Sequence, residues 1–162
     1  MTRPTREAWR TCSPPGPPGT LPRQWPRQSA QSYGPYDSTV PTVRSHARVV
    51  LAEWGMTDMV YSGVLVLSEL VTNALRATWR FRMDTPVGVR LLADSCWLVV
   101  EVWDGVHEVP QMQELDLDCE FDGGDDSDGH GNGLMIVATE CHRWGYFHCP
   151  EGGKIVYAIF AR

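Results

Sequence analysis

The chain has 162 residues, 43% of them hydrophobic, which is enough for the core of one domain. No apolar run reaches the length of about eighteen residues that a membrane-spanning helix needs, so this class of protein is excluded. The N-terminus lacks the apolar stretch of a secretory signal, and the cysteines number five, an odd count. We therefore expect a cytoplasmic protein with reduced thiols and no membrane contact.

The net charge of −6 is distributed unevenly along the chain. Residues 1–37 carry five arginines and two acidic residues, whereas residues 38–162 carry 9 basic and 18 acidic residues. A folded surface this acidic binds a phosphate backbone poorly, so we expect no direct contact with nucleic acid.

The first part of the chain has the composition of a disordered segment. Residues 1–37 contain eight of the 12 prolines, with Gly, Ser, Gln and Thr between them. Such a segment buries too little apolar surface to fold. The sequence therefore predicts a disordered Pro/Arg-rich tail over residues 1–37 and one folded domain over residues 38–162.

Two helices are predicted at the start of this domain. Val43 and Ala47 follow helical spacing over residues 39–54, and Gly55 is a suitable C-cap. The next helix, over residues 59–80, is apolar on most of its turns and should be buried on nearly all sides.

The remaining elements are mostly strands. Strands with β-branched and aromatic residues are predicted at residues 87–92, 97–103, 145–149 and 154–161. A third helix is predicted from residue 132 or 133 to residue 144, after an irregular stretch over residues 105–133. Helices and strands come in runs, which is typical of an α+β fold. We expect a two-layer α/β sandwich, with a mixed, mainly antiparallel sheet covered on one face by helices.

A polar stripe crosses the second helix. Glu69, Thr72, Asn73 and Arg76 have the spacing of one helical face. Polar groups on a buried helix are costly unless they are paired or wetted in a cleft. The stripe is therefore either an internal hydrogen-bond network or the wall of a pocket. In a pocket, Glu69 can orient a water molecule and Asn73 can ligate a hard cation through its carbonyl oxygen.

Two later features carry groups that can contact a ligand. Asp104 follows the strongest predicted strand, where a carboxylate either forms a turn or accepts a hydrogen bond from an exocyclic amine such as that of adenine. The glycine-rich stretch over residues 129–134 opens a helix, where backbone N–H groups can surround phosphate oxygens.

Taken together and in this order, these motifs resemble those of the GHKL ATPases, a superfamily that includes gyrase, histidine kinases and MutL. The resemblance is strongest to the stand-alone bacterial anti-sigma-factor serine kinases. Residues 68–74, SELVTNA, match their N-box letter for letter. VEVWDGVHEVP is similar to their G1 box, with Asp104 followed six residues later by Pro110. GNGLMIV is similar to their G2 box, and Gly153-Lys154 is a later landmark.

This resemblance implies a Bergerat fold that binds Mg-ATP between the sheet and its helices. Asn73 would hold Mg²⁺ bridged to the phosphates, Glu69 would be the catalytic carboxylate that activates the attacking hydroxyl, and Asp104 would read the adenine amine. The lid hinge and the phosphate-contacting amides would be formed by Gly131, Gly133 and Leu134. Trp103 would lie beside the nucleotide.

The resemblance also implies a function and partners. The chain would be an ATP-dependent serine/threonine kinase that acts as an anti-sigma or switch factor. It would phosphorylate an antagonist protein, bind a sigma factor or similar regulator, and form a homodimer. The alternative is a non-catalytic or degenerate ATP-binding module that regulates a partner by protein contact alone.

The sequence departs from the family pattern in three places. Asn132 replaces an arginine that faces the phosphates, and Ile155 replaces a threonine whose hydroxyl helps to hold the adenine. The stretch over residues 114–128 carries eight acidic side chains, which would repel a triphosphate. We expect these changes to affect affinity and turnover more than the fold.

Two metal sites were weighed against this interpretation. Residues 118–129 imitate the start of an EF-hand loop, but Gly129 stands where the bidentate glutamate is required. Cys141-His142 and His148-Cys149 offer four zinc ligands in a spacing unlike that of zinc fingers. A solvated acidic loop and unligated side chains are the favoured interpretations.

Overall fold

The computed structural model describes residues 7–13, 24–110 and 133–162 of the chain. The strands are β1 (Arg27–Tyr33), β2 (Val87–Ala93), β3 (Trp97–Asp104), β4 (Arg143–His148) and β5 (Lys154–Ala161). The helices are α1 (Thr39–Glu53), α2 (Val60–Arg80) and α3 (Gly133–Glu140). Short 3₁₀ helices cover Ala8–Thr11 and Thr57–Met59. None of the helices in this described part combines the length and the apolar character needed to cross a bilayer.

The strands form a single five-stranded sheet in the order β1-β2-β3-β5-β4. Every pairing between described strands is antiparallel, including the predicted β2–β3 hairpin. The three helices cover one face of this sheet, and their apolar side chains share one core with β2, β3 and β5. The predicted α+β, two-layer arrangement is confirmed, and the sheet, expected to be mixed but mainly antiparallel, is antiparallel in all of its described pairings.

The first two helices follow their apolar pattern. Val43, Ala47 and Leu51 are almost fully buried on α1, and the helix ends beside Gly55, whose φ of 68° suits a glycine. On α2, residues such as Leu67 and Val71 are buried against the sheet and the neighbouring helices. These helices were predictable because their own apolar period selects the buried face.

The predicted third helix is shorter than its sequence suggested. It ends at Glu140 rather than near Trp144, and β4 begins at Arg143. The Arg143–His148 backbone pairs with β5 along its whole length. The predicted helix continues up to Gly145, the first residue that typically ends one. The pairing with β5 instead begins two residues earlier, at Arg143.

The prediction of a disordered tail over residues 1–37 is wrong for two of its parts. Arg27–Tyr33, a segment without proline, forms β1 and pairs with β2 in an unbroken register. Its composition is too polar to form a strand alone, but β2 offers a free edge whose backbone groups need partners. The domain therefore begins before the predicted boundary at residue 38.

The second ordered part of the tail, residues 7–13, covers the sheet face opposite the helices. Trp9 is 2% exposed and packs in a small apolar cluster with Trp103 and Ile155. The rings of Trp9 and Trp103 are stacked, with their centroids 6.4 Å apart. Gly88 makes this possible, because a Cβ atom at that position would lie 2.4 Å from the Trp9 ring.

A buried ion pair fixes the same segment. Arg90 on β2 and Glu101 on β3 lie opposite each other in the sheet and bind through the arginine Nε and a carboxylate oxygen. The Arg90 guanidinium also donates to the carbonyl oxygens of Arg10 and Cys12, the latter at 2.7 Å. Burial raises the pKa of Glu101, while Arg90 lowers it in part. The pair thus connects the sheet to backbone groups that would otherwise be buried without partners.

Candidate functional site

A cavity of about 170 Å³ lies between α2 and the ends of β3 and β5. Its walls also include residues 108–110 and the first turn of α3. Apolar side chains such as Leu70, Val102 and Val156 form part of the lining. Its polar and charged lining residues are Asn73, Arg76, Arg80, Asp104, Glu108 and Lys154. An apolar cleft with a few convergent polar groups is the usual form of a small-molecule site.

Three of the predicted nucleotide ligands line this cavity. Asn73 comes from the middle of α2, Asp104 from the end of β3, and Leu134 from the start of α3. They are distant in sequence, and the sheet and helices bring them together. Their assigned roles as ligands of a nucleotide stay predictions.

The other predicted site residues are placed differently. Glu69 is half-buried on α2, one turn before Asn73, and does not line the cavity. Gly133 begins α3. Gly131 and Asn132 lie outside the described residues, as does the whole acidic stretch that imitates a calcium loop.

The polar stripe on α2 is part network and part cavity wall. The Thr72 hydroxyl donates to the Ser68 carbonyl oxygen at 2.8 Å, within its own helix. The buried Ser68 hydroxyl donates to the Val64 carbonyl at 2.6 Å and accepts from Arg44 Nε at 2.8 Å. Arg76, in contrast, is exposed and lines the cavity. Both interpretations of the stripe therefore hold, for different residues.

Asp104 forms a buried ion pair that the sequence did not predict. It lies opposite Lys154 in the β3–β5 register, and Lys154 Nζ is 2.8 Å from its Oδ1. The same oxygen accepts the Val106 backbone N–H at 2.9 Å, and Nζ also donates to the Val106 carbonyl at 3.2 Å. Burial raises the pKa of Asp104, and the Lys154 ammonium lowers it in part. Asp104 is therefore a desolvated acceptor held in one orientation.

A glycine allows the strands to approach closely at this point. Gly153 has a φ of 75°, and a Cβ atom there would lie 2.2 Å from the Asp104 carbonyl oxygen. Only glycine adopts this conformation without strain and leaves this space free. Gly153 therefore lets Lys154 begin β5 directly opposite Asp104.

Two expectations about the neighbours of these residues are corrected. Trp103 was expected beside the nucleotide, and position 155 was expected to be where a family threonine helps to hold the adenine. Both side chains pack with Trp9 on the opposite face of the sheet. Side chains alternate between the two faces along a strand. The side chains of β5 that line the cavity are those of Lys154 and Val156. A hydroxyl at position 155 would therefore lie outside the cavity, so its replacement by Ile155 removes no polar group from the cavity lining.

Lys154 was visible in the sequence only as part of a family landmark. It is the sole lysine among the 14 basic residues of the chain, the others being arginines. An isolated lysine at the start of an otherwise apolar strand was the signal that sequence reasoning passed over, because a buried charge needs a partner.

The four side chains weighed as zinc ligands do not meet. Cys149 is buried in the Trp9 cluster, whereas Cys141 packs against the core on the helix side. In the part of the chain that the structure describes, no group of three or more His, Cys, Asp and Glu side chains is arranged to hold a metal ion.

The sequence matches a protein-family model, and the fold is similar to that of a solved structure. The family model described as histidine kinase-like ATPase domain matches residues 36–160. Among solved structures, the fold is similar to a crystal structure of the RsbU and RsbW domains of Rv1364c from Mycobacterium tuberculosis, with a TM-score of 0.58 and 17% identity. The match covers 84% of this chain and 33% of that one, so this chain spans about a third of its structural neighbour. No curated protein matches the sequence.

Proposed function

This chain belongs to the family of histidine kinase-like ATPase domains, and we propose that it is an ATP-binding serine/threonine kinase with a regulatory role. It would act as an anti-sigma or switch factor by phosphorylating an antagonist protein. The observation that carries the proposal is the meeting of Asn73 and Asp104 in one cavity beside two arginines. Acceptor, cation ligand and positive charge are the groups that a nucleoside triphosphate requires.

The cavity offers suitable groups for each part of the nucleotide. Asp104 supplies a desolvated carboxylate for the adenine amine. Arg76 and Arg80 on the same wall can bind phosphate oxygens. The Asn73 side-chain oxygen is a hard ligand of the kind that Mg²⁺ prefers, so the donor set fits the ion. When bound, Mg²⁺ would neutralise charge on the phosphates.

Glu69 is the proposed base of the reaction. It lies one helical turn before Asn73, which places the two residues on the same side of α2, next to the cavity that Asn73 lines. Glu69 would take the proton from a serine or threonine hydroxyl of the partner protein. That oxygen would then form a bond to the γ-phosphorus as the bond to ADP breaks.

A second candidate function is favoured by the position of Glu69. Because its side chain is outside the cavity lining, a module that binds ATP but transfers no phosphate fits the described geometry as well. Such a protein would regulate its partner through contact alone, and ATP would only select its conformation.

The partners are proposed from the family. An antagonist protein would be the substrate, and a sigma factor or similar regulator would be the protein held inactive. A homodimer in the cytoplasm is the proposed state. The similarity to a chain that contains an RsbW domain supports the choice of this branch of the family.

The test combines binding and phosphate transfer. Calorimetry of the full chain should give saturable, Mg²⁺-dependent ATP binding that Asn73→Ala weakens. Glu69→Ala should lower transfer to a candidate antagonist by about 10²-fold or more, as loss of a general base does, while ATP binding stays nearly unchanged. Tyr61→Phe, an exposed change on the same helix, is the matched control.

The outcomes separate the two candidates. ATP binding without transfer by the wild-type chain to any candidate antagonist would favour the non-catalytic module. Absence of Mg²⁺-dependent ATP binding would contradict both.

A further inference from the structure

We propose that Lys154 determines the nucleobase specificity of this site by donating a hydrogen bond to N1 of adenine. The neighbouring C6 amine would donate its hydrogen bond to Asp104. The inference rests on the proposed function, since it requires that the cavity binds ATP. It assigns a direct ligand contact to a residue that lies opposite Asp104 and faces the same cavity.

The ammonium of Lys154 is held in place by two bonds. One goes to Asp104 Oδ1 at 2.8 Å and the other to the Val106 carbonyl at 3.2 Å. An ammonium group has three N–H donors. The residue is 3% exposed, so bulk water has little access to the remaining donor. The cavity that Lys154 lines is where a partner for this donor can be placed.

The carboxylate of Asp104 has a similar arrangement. Lys154 and the Val106 N–H both bind Oδ1. The second oxygen, Oδ2, can accept a bond from a ligand while the first keeps the ion pair. One cavity wall therefore offers an acceptor and a charged donor side by side.

This pair of groups complements one edge of adenine. The amine at C6 is a donor and the neighbouring N1 is an acceptor, so Asp104 would accept from the amine while Lys154 donates to N1. Hypoxanthine and guanine carry an acceptor at C6 and a donor at N1. In the same orientation, the acceptor at C6 would face the Asp104 carboxylate and the N1–H donor would face the Lys154 ammonium. Neither pair can form a hydrogen bond, and unpaired buried polar groups are strongly disfavoured.

The second buried ion pair of the sheet shows what a purely structural arrangement looks like. Arg90 directs its further donors to the backbone carbonyls of Arg10 and Cys12, so that pair holds a segment of the chain. A buried ion pair is in general no more stable than apolar residues of the same volume. The Lys154–Asp104 pair lies instead at a cavity wall, where a ligand can use it.

The single lysine makes a direct test possible. The chain is labelled with ¹⁵N at lysine Nζ, which gives one side-chain resonance, and is titrated with ATP or with 1-deaza-ATP, in which N1 is replaced by a C–H group. We expect ATP to shift the Lys154 resonance and 1-deaza-ATP to shift it much less. Calorimetry should give about tenfold weaker binding of 1-deaza-ATP or more, as for the loss of a bond to a charged donor. Inosine triphosphate should also bind more weakly than ATP.

The variant Lys154→Met then assigns the effect to this residue. It should weaken ATP binding by a clearly larger factor than 1-deaza-ATP binding, because only ATP loses the bond to N1, whereas loss of the ion pair with Asp104 affects both nucleotides. Tyr157→Phe is the matched control, because this position of β5 alternates to the opposite face and should keep the preference for ATP. If Lys154→Met does not fold, the double variant Lys154→Met/Asp104→Asn, which carries no unpaired charge, replaces it, and the measurements on the wild-type chain stand by themselves.

Three results would overturn the inference. Equal binding of ATP and 1-deaza-ATP, or an unmoved Lys154 resonance at saturation with ATP, would do so and leave the proposed function intact. Equal weakening of both nucleotides by Lys154→Met would reduce Lys154 to a residue that only positions Asp104. If the wild-type chain binds no ATP, the proposed function fails and the inference fails with it.

Discussion

In the described part of the chain, each face of the sheet buries one ion pair between neighbouring strands. On the helix side, Lys154 of β5 binds Asp104 of β3. On the opposite side, Arg90 of β2 binds Glu101, also of β3. The two acidic residues are three positions apart on one strand, and they therefore point to opposite faces.

What covers each pair decides what the pair can do. Residues 7–13 lie over Arg90 and take up its guanidinium donors with their backbone carbonyls. Lys154 and Asp104 instead line a cavity with free volume beside them. Burial and a raised carboxyl pKa, which both pairs share, are thus weak indicators of a site. Access to a cavity is the property that separates them.

The largest expected effect comes from Arg90→Met. It leaves the Glu101 carboxylate buried without its partner and should lower the free energy of unfolding at neutral pH by about 4 kcal/mol. Without Arg90 the pKa of Glu101 rises further. A carboxyl whose folded pKa exceeds its unfolded value costs stability above the folded pKa and nothing below the unfolded one. The deficit should therefore shrink as the pH falls towards about 4, the unfolded value for glutamate. Urea unfolding of both proteins at pH 7 and pH 5 measures it.

The control for this variant is Arg90→Met/Glu101→Leu, which removes both charges and should recover most of the lost stability. ATP affinity should change less than about twofold in either protein, because additivity holds for distant sites. A deficit that is independent of pH would mean that Glu101 is not the source of the cost. A loss of ATP affinity would show that the two faces are coupled.

Trp9→Ala should have the next largest effect. The indole is 2% exposed and stacked on Trp103, so its loss should cost about 3 kcal/mol and uncover the apolar face of the sheet. Thermal unfolding would measure the loss of stability, and quenching of the total tryptophan fluorescence by acrylamide would measure the increase in exposure. Trp9→Phe is the control. Phenylalanine keeps an aromatic ring against Trp103, and it removes the Trp9 Nε1 donor, which is buried without a hydrogen-bond partner among the described residues. If Trp9→Ala proves neutral, residues 7–13 do not stabilise the sheet.

A methyl group added to the sheet should act through the same contact. Gly88→Ala places a Cβ atom where the Trp9 ring lies and should cost about 2 kcal/mol by overpacking. Because the cost comes from Trp9, the double variant with Trp9→Ala should be no less stable than Trp9→Ala alone. A double-mutant cycle from urea unfolding gives the coupling, and a coupling near zero would contradict the contact.

The smallest effect is expected at the rim of the same segment. Glu7 lies 3.9 Å from Arg10, and its side chain is 74% exposed. Glu7→Gln should therefore lower the free energy of unfolding by less than about 0.5 kcal/mol. Addition of salt should abolish the difference in stability between Glu7→Gln and the wild-type chain, because salt screens the exposed Glu7–Arg10 pair. The buried Arg90–Glu101 pair should respond much less to salt.

The apolar pattern of the sequence predicted the first two helices and the central hairpin, but not which face of the sheet each strand residue occupies. The helices α1 and α2 and the β2–β3 hairpin follow from local periodicity, since each carries the apolar pattern of its own buried face. Strand alternation was a signal that went unused. Trp103 and Asp104 are neighbours on one strand, so they cannot both face a nucleotide.

By itself the sequence determined the fold class, the family and the spacing of Asn73, Asp104 and Leu134 along the chain. Only the tertiary structure decided that these three line one cavity, that Lys154 is the partner of Asp104, and that part of the tail closes the second face. The physical reason is that a strand edge, a sheet register and a buried charge are all completed by groups far away in the chain. No local pattern in β1 or in residues 7–13 encodes the partner that orders it.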